Sequence, residues 1–203
     1  MTLAERLLFW LPFDYNNIET KGIVDITLDD VKAARNFGDG RIKLIGYAEF
    51  MDNGKIYSTV TPMYINRACP LSGVNDVFNA VMVTGDCVGE LMFYGAGAGK
   101  LPTASAVVAD VVDCIKHKDA PKKILWAKPQ SDLMACEEDK SFAYFVRAID
   151  TKENVLSVFS GAEVKDAEKE GEVMFMTKPV TASVLNEKLE KLGKTITAIK
   201  VLG

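Results

Sequence analysis

The chain has 203 residues, 48% apolar and 26% charged, which are ordinary globular proportions with enough apolar side chains for one sizeable domain or two small ones. A formal net charge of −4, with lysines spread rather than clustered, gives no electrostatic case for nucleic acid or for an anionic membrane surface. No stretch approaches the roughly 20 apolar residues of a membrane span. The run LLFWLPF is short, is broken by Pro12 and lacks a small-residue cleavage site, so it does not read as a signal peptide.

In chain order, Leu3, Leu7, Leu8 and Leu11 fit one face of a short helix stopped by Pro12. TLDD, Thr27 to Asp30, is a capping-box-like start for a helix carrying Leu28, Val31 and Ala34, which Gly38 and Gly40 end. RIKLIGYAEF reads as a strand, and MDNG as a hairpin turn into the strand KIYSTVTPMY. Asn75 and Asn79 suit side-chain bonds that fix a turn and its neighbouring backbone. VFNAVMV and CVGELMFY form a second hairpin, and their near-continuous apolarity predicts strands covered on both faces. A long helix follows from about Pro102 to Lys118.

Charge and proline then mark a linker, placed at 121–142. Beyond it the elements read strand (Ala143 to Ile149), helix (Lys152 to Phe159), strand (Ala162 to Lys165) and strand (Glu172 to Thr177). A helix with Val184, Leu185, Leu189 and Leu192 and the strand TITAIKV complete the unit. That βαββαβ order predicts a ferredoxin-like sandwich over 143–203. The expected fold class is therefore α/β (α+β): a mixed, mostly antiparallel sheet with helices on it over 1–120, then the smaller module.

Four cysteines, Cys69, Cys87, Cys114 and Cys136, are widely spaced and form no CxxC pair. They read as reduced, mostly buried thiols of a cytoplasmic protein. His117, the single histidine, lies in the polar run HKDAPKK at a helix end, where a cation complements the dipole, and no metal site is expected.

The stretch most suggestive of chemistry is FYGAGAGKLPTASAVVAD. Gly95, Gly97 and Gly99 supply a backbone that can approach a ligand closely, just ahead of a helix N-terminus with unpaired N–H groups. GAGAGKL fails the P-loop pattern on spacing and on the missing hydroxyl after Lys100, and it also fails the third spacing of the dinucleotide fingerprint. Asp110 and Asp113, one helical turn apart, read as a solvated face rather than an acid–base pair.

The wider string VNDVFNAVMVTGDCVGELMFYGAGAGKLPTASAVVADVVD, preceded by RIKLIGYAEF and CPLSGVNDVFNAV, closely resembles homoserine dehydrogenase, over about Ile18 to Lys116. The resemblance implies reduction of aspartate semialdehyde to homoserine with NAD(P). It places Gly99 and Thr103 near the nicotinamide end, and with Gly97 of the same loop they are the candidate cofactor-binding residues. It further implies a homodimer formed through the sheet, with the helix after the loop packing onto a dinucleotide-binding domain. At the end of such an enzyme the βαββαβ unit resembles an ACT domain, a module that often takes an amino-acid effector. Here the turn Asp150 to Asn154 lacks the usual proline and glycine, which puts effector binding in doubt.

The family's proton-transfer lysine belongs to a motif ending in aspartate, three residues and lysine. The resemblance places that motif just before the helix expected near Leu3, where these 203 residues do not carry it, and they do not carry the nucleotide-binding glycine fingerprint. No catalytic residue is therefore assigned. The residues as they stand are expected to be inactive alone and not to hold the cofactor tightly. The alternative expectation is a stand-alone, non-catalytic amino-acid-binding or regulatory module built from the same folds.

Overall fold

In the computed structural model, residues 16, 18–120 and 131–202 are described. The helix expected around Leu3 to Leu11 and residues 121–130 of the expected linker lie outside them. The described elements run β1 (Glu19–Thr20), α1 (Leu28–Gly38), β2 (Arg41–Phe50), β3 (Ile56–Ile65), β4 (Phe78–Gly85), β5 (Gly89–Ala96) and α2 (Lys100–Lys116). They continue with β6 (Tyr144–Ile149), α3 (Lys152–Val158), β7 (Glu163–Asp166), β8 (Glu172–Met176), α4 (Ala182–Leu189) and β9 (Lys194–Leu202). Packing divides the chain into one unit of Met1–Arg67 with Ala127–Gly203 and a second of Ala68–Trp126.

The first unit is built on a mixed sheet of seven described strands. β2 and β3 pair antiparallel along their whole length, Arg41 against Ile65 and Phe50 against Ile56, as the MDNG turn requires. The other edge of β3 carries β1 at Thr59 and Val60 and β9 at Met63 to Ile65, both parallel. From β9 the sheet continues through β6 and β8 to β7, all antiparallel. The last four strands with α3 and α4 thus form the expected βαββαβ arrangement, and β9 joins it to the N-terminal strands.

Period-two alternation explains how this sheet is covered on two sides. Tyr144, Val146 and Ala148 of β6, with Val173 and Phe175 of β8, pack against Val155 of α3, Leu185 of α4, and Phe159 and Leu192 just beyond those helices. Phe145, Met174 and Ile199 face the opposite way, onto Ala33, Ala34 and Phe37 of α1. Phe37 meets Phe145 edge-on with ring centroids 5.5 Å apart. Helix α1 starts where TLDD suggested, with a complete capping box between Thr27 and Asp30.

The second unit is the hairpin β4–β5, paired from Phe78↔Ala96 to Gly85↔Gly89, with α2. It corrects two expectations. The strands are not covered on both faces: every residue of β5 is exposed, and so is every residue of α2 except the half-buried Pro102. A two-stranded ribbon and one helix have too little surface to bury each other's apolar side chains. The cysteines are likewise not mostly buried, for Cys87, Cys114 and Cys136 are exposed and Cys69 is intermediate. Cys114 sits on α2 and Cys87 in the turn between β4 and β5, where an apolar neighbourhood in sequence does not become burial in space. Helix α2 also begins at Lys100, two residues before the proline expected to open it.

Candidate functional site

The glycine loop lies where β5 runs out into α2. The Gly97 N–H donates to the Val77 carbonyl at 3.2 Å, extending the hairpin by one bond. The side chain of Asn79 lies against Gly97 so closely that a Cβ there would stand 1.8 Å from Nδ2. Asn75, the other asparagine singled out, donates from its amide to the Gly73 carbonyl at 3.2 Å and fixes the preceding turn. Gly99 sits at φ +118°, where L side chains are strained, and is the N-cap of α2 without any side-chain cap.

The Thr103 amide donates to the Gly99 carbonyl at 3.2 Å, the first bond of the helix. Lys100 and Leu101 precede it, and Pro102 has no N–H, so the first turn presents two amides and the positive end of the dipole. Gly97, Gly99 and Thr103 are all exposed. The fold therefore gathers the three candidate residues within one loop and helix start, with bare backbone at two of them. Asp113 and His117 pair with each other at 2.8 Å at the far end of α2, where His117 is the C-cap, so the helix end suggested by the lone histidine is where it sits.

Two buried charge clusters of the first unit were not visible as sites in the sequence. Lys200, 6% exposed, donates to Glu137 Oε1 at 2.7 Å, to Tyr57 Oη at 3.1 Å and to Glu19 Oε2. Burial alone would depress this ammonium, but the bonds to Glu137, Glu19 and Tyr57 carry its pKa above the ordinary value. Burial, the largest single influence, works to raise the Glu19 carboxyl, and the hydrogen bonds with Lys200, Glu137 and Lys21 together outweigh it, holding Glu19 at about 2. With its three donors engaged and its proton held more tightly, Lys200 has the reverse of a proton donor's tuning. The signal was a single charged residue in the strand TITAIKV.

The second cluster joins Arg147 of β6 to Asp30 Oδ1 at 2.5 Å and to Glu172 Oε2 at 2.8 Å. Thr197 donates to the same Asp30 oxygen at 2.6 Å. Its signal was the arginine inside the strand AYFVRAI.

Two depressions belong to this unit: one of about 350 Å³ beside Glu19, Tyr57 and Glu137, and one of about 40 Å³ between α1 and β8. Neither is lined by the glycine loop. Among the described residues no group of three or more His, Cys, Asp or Glu could hold a metal, and no helix is long and apolar enough to cross a membrane.

A mixed sheet carrying helices on both sides, with a glycine loop at a helix start in the second unit, defines an α/β protein. Its family is given by likeness to known proteins. The sequence profile of homoserine dehydrogenase matches residues 1–112. The Bacillus subtilis homoserine dehydrogenase is 43% identical over 117 residues, 58% of this chain and 27% of that protein. The Helicobacter pylori enzyme is 37% identical over 160 residues, 79% of this chain and 37% of its own length.

Among solved structures, the homoserine dehydrogenase of Thiobacillus denitrificans matches with a TM-score of 0.77 at 29% identity, across 98% of this chain and 51% of that one. The Staphylococcus aureus enzyme gives 0.76 at 26% identity, across 99% and 51%. This chain belongs to the homoserine dehydrogenase family. It spans about half the length of those solved relatives.

Proposed function

We propose that the chain is the later part of a cytoplasmic homoserine dehydrogenase subunit, an oxidoreductase that reduces aspartate semialdehyde to homoserine in amino-acid biosynthesis. The observation that carries this reading is a structural match along 98% of the chain that accounts for only 51% of the solved enzyme. Homoserine dehydrogenases as a family use a nicotinamide cofactor, and one relative, from Pseudomonas canavaninivorans, is named as NAD(+)-dependent.

In this reading residues 1–120 supply the substrate-domain sheet and the surface through which two subunits pair. Residues 121–142 connect them to an ACT-like module at 143–203. Gly97 and Gly99 let NAD(P) lie against bare backbone on its nicotinamide side, and Thr103 stands one helical turn further on. The dipole of α2 and the amides of Lys100 and Leu101 favour a polar or negatively charged group there.

Carbonyl reduction develops an alkoxide and needs an acid within hydrogen-bond reach. Lys200 has its donors engaged, and Lys43 is paired into β2 opposite Met63. The acid and most cofactor contacts then come from residues outside these 203, and the apolar face of α2 packs on a dinucleotide-binding domain. Effector binding at the ACT-like module is disfavoured by its first turn. There the Asp150 carboxylate already accepts from the amides of Thr151 and Gly193 and from Asn154.

The test is nicotinamide oxidation with aspartate semialdehyde. The chain alone should show none. Adding, as a separate polypeptide, the upstream half of the Bacillus subtilis relative should restore turnover, and Gly99→Ala should lower it. Binding of an amino acid by the isolated chain, with no turnover on addition of that half, would favour the non-catalytic module instead.

A further inference from the structure

The βαββαβ module is built around a helix that comes from elsewhere in the chain. One face of its sheet is covered by its own α3 and α4; the other is covered by α1, which lies more than 100 residues earlier. The module grips both ends of that helix. At the start of α1, Asp30 accepts from the Thr27 amide at 2.8 Å within the capping box, and from Arg147 of β6 and Thr197 of β9. Lys169 pairs with Asp29 one residue before, at 2.5 Å. At the end of α1, Lys165 of β7 donates to the Phe37 carbonyl and lies 4.7 Å from the Phe37 ring centroid, and Glu168 accepts from Asn36 at 2.7 Å. Lys165, a cation at the helix C-terminus, complements the dipole, and Asp29 and Asp30 at the N-terminus take their cationic partners from the module.

We infer that the C-terminal module is a fixed clamp on α1, latched by the buried Asp30–Arg147–Glu172 cluster, rather than a regulatory domain that moves on a linker. Arg147 is 3% exposed and Asp30 1%, so the pair lies in a dry interface, where removing one partner would leave the other as an uncompensated buried charge. The shared strand pairing works in the same direction, because β9 cannot leave β3 without breaking the pairs from Met63 to Ile65.

Native-state hydrogen exchange on the whole chain tests it. In the unaltered protein, the amides of α1, β6, β8 and β9 should exchange through one common opening. A module that opens at a markedly faster rate than α1, or melts in a transition of its own, would overturn the clamp. Arg147→Met should reduce protection in α1 and in β6, β8 and β9 together, by ~10²–10³-fold, as expected when one partner of a buried ion pair is removed. Loss of protection in α1 with β6, β8 and β9 unchanged would sink the idea. Lys169→Ala, which removes an exposed pair, should change protection only a few-fold. If Arg147→Met does not fold, the comparison of opening rates in the unaltered chain decides alone.

Discussion

Strands β5 and β6 look alike on paper and differ completely in space. GELMFYGA and YFVRAI are both apolar runs with aromatic residues. Every residue of β5 is exposed, whereas all of β6 but its last residue is buried. The difference lies in what surrounds them. β6 has strand neighbours on both sides and helices over both faces, while β5 has one strand partner and its ring contact is a stack of Phe78 on Tyr94 at 4.9 Å. Apolarity measures what a segment gains from being covered; it does not supply the cover.

Truncating aromatic residues in the two strands breaks this comparison most sharply. Phe145→Ala removes a fully buried ring packed on Phe37 and Tyr64 and should cost ~3–5 kcal/mol by urea unfolding. Phe93→Ser on β5, where the ring is 66% exposed, should stay within about 0.5 kcal/mol in the same measurement. A large loss there would mean that β5 is covered in solution.

Acid sharpens the contrast next. Glu19, Asp30 and Asp39 are all held below their ordinary values, Glu19 at about 2 against 4.5. A depressed folded-state pKa gives stability that is present above 4.5 and lost as pH falls toward 2. Glu19 alone, discounted for its partial exposure to solvent, should therefore account for a loss on the order of 2 kcal/mol across that window in acid denaturation followed by circular dichroism. Lys200, raised, contributes in the opposite sense: its stabilisation is present below 10.5 and lost as pH rises through the folded-state value. The corresponding alkaline loss should vanish in Lys200→Met.

Within the second unit, Gly99→Ala forces an alanine to φ +118° and should cost about 1–3 kcal/mol in the local stability of α2, read by hydrogen exchange at its first turn. Gly97→Ala should cost less, about 1 kcal/mol, because the atom it meets is the end of the exposed Asn79 side chain, which can turn away. A loss at Gly97 as large as at Gly99 would show that Asn79 is held in place.

Much of the fold was legible locally. The capping box at Thr27, the MDNG turn and the order of the last six elements depend on contacts a few residues apart, which spacing reveals directly. The glycine loop was legible as a place of close approach, and Asn79 against Gly97 gives the reason for one of its glycines. What escaped was the second use of residues already accounted for. Asp30 reads as a helix cap, and only the fold brings Arg147, 117 residues away, onto its other oxygen. Lys200 reads only as one residue of the last strand, yet it is buried between Glu19 and Glu137, 181 and 63 residues distant.

The sequence by itself determined which segments form helices and strands, which residues can take unusual backbone, and the family to which the chain is similar, because these follow from short-range sterics and from motif strings. Tertiary structure alone decided which apolar faces find cover, which charges are buried in pairs, and that α1 fills the second face of a sheet built from the far end of the chain. Those outcomes depend on contacts between distant residues, whose energies appear only once the chain has closed upon itself.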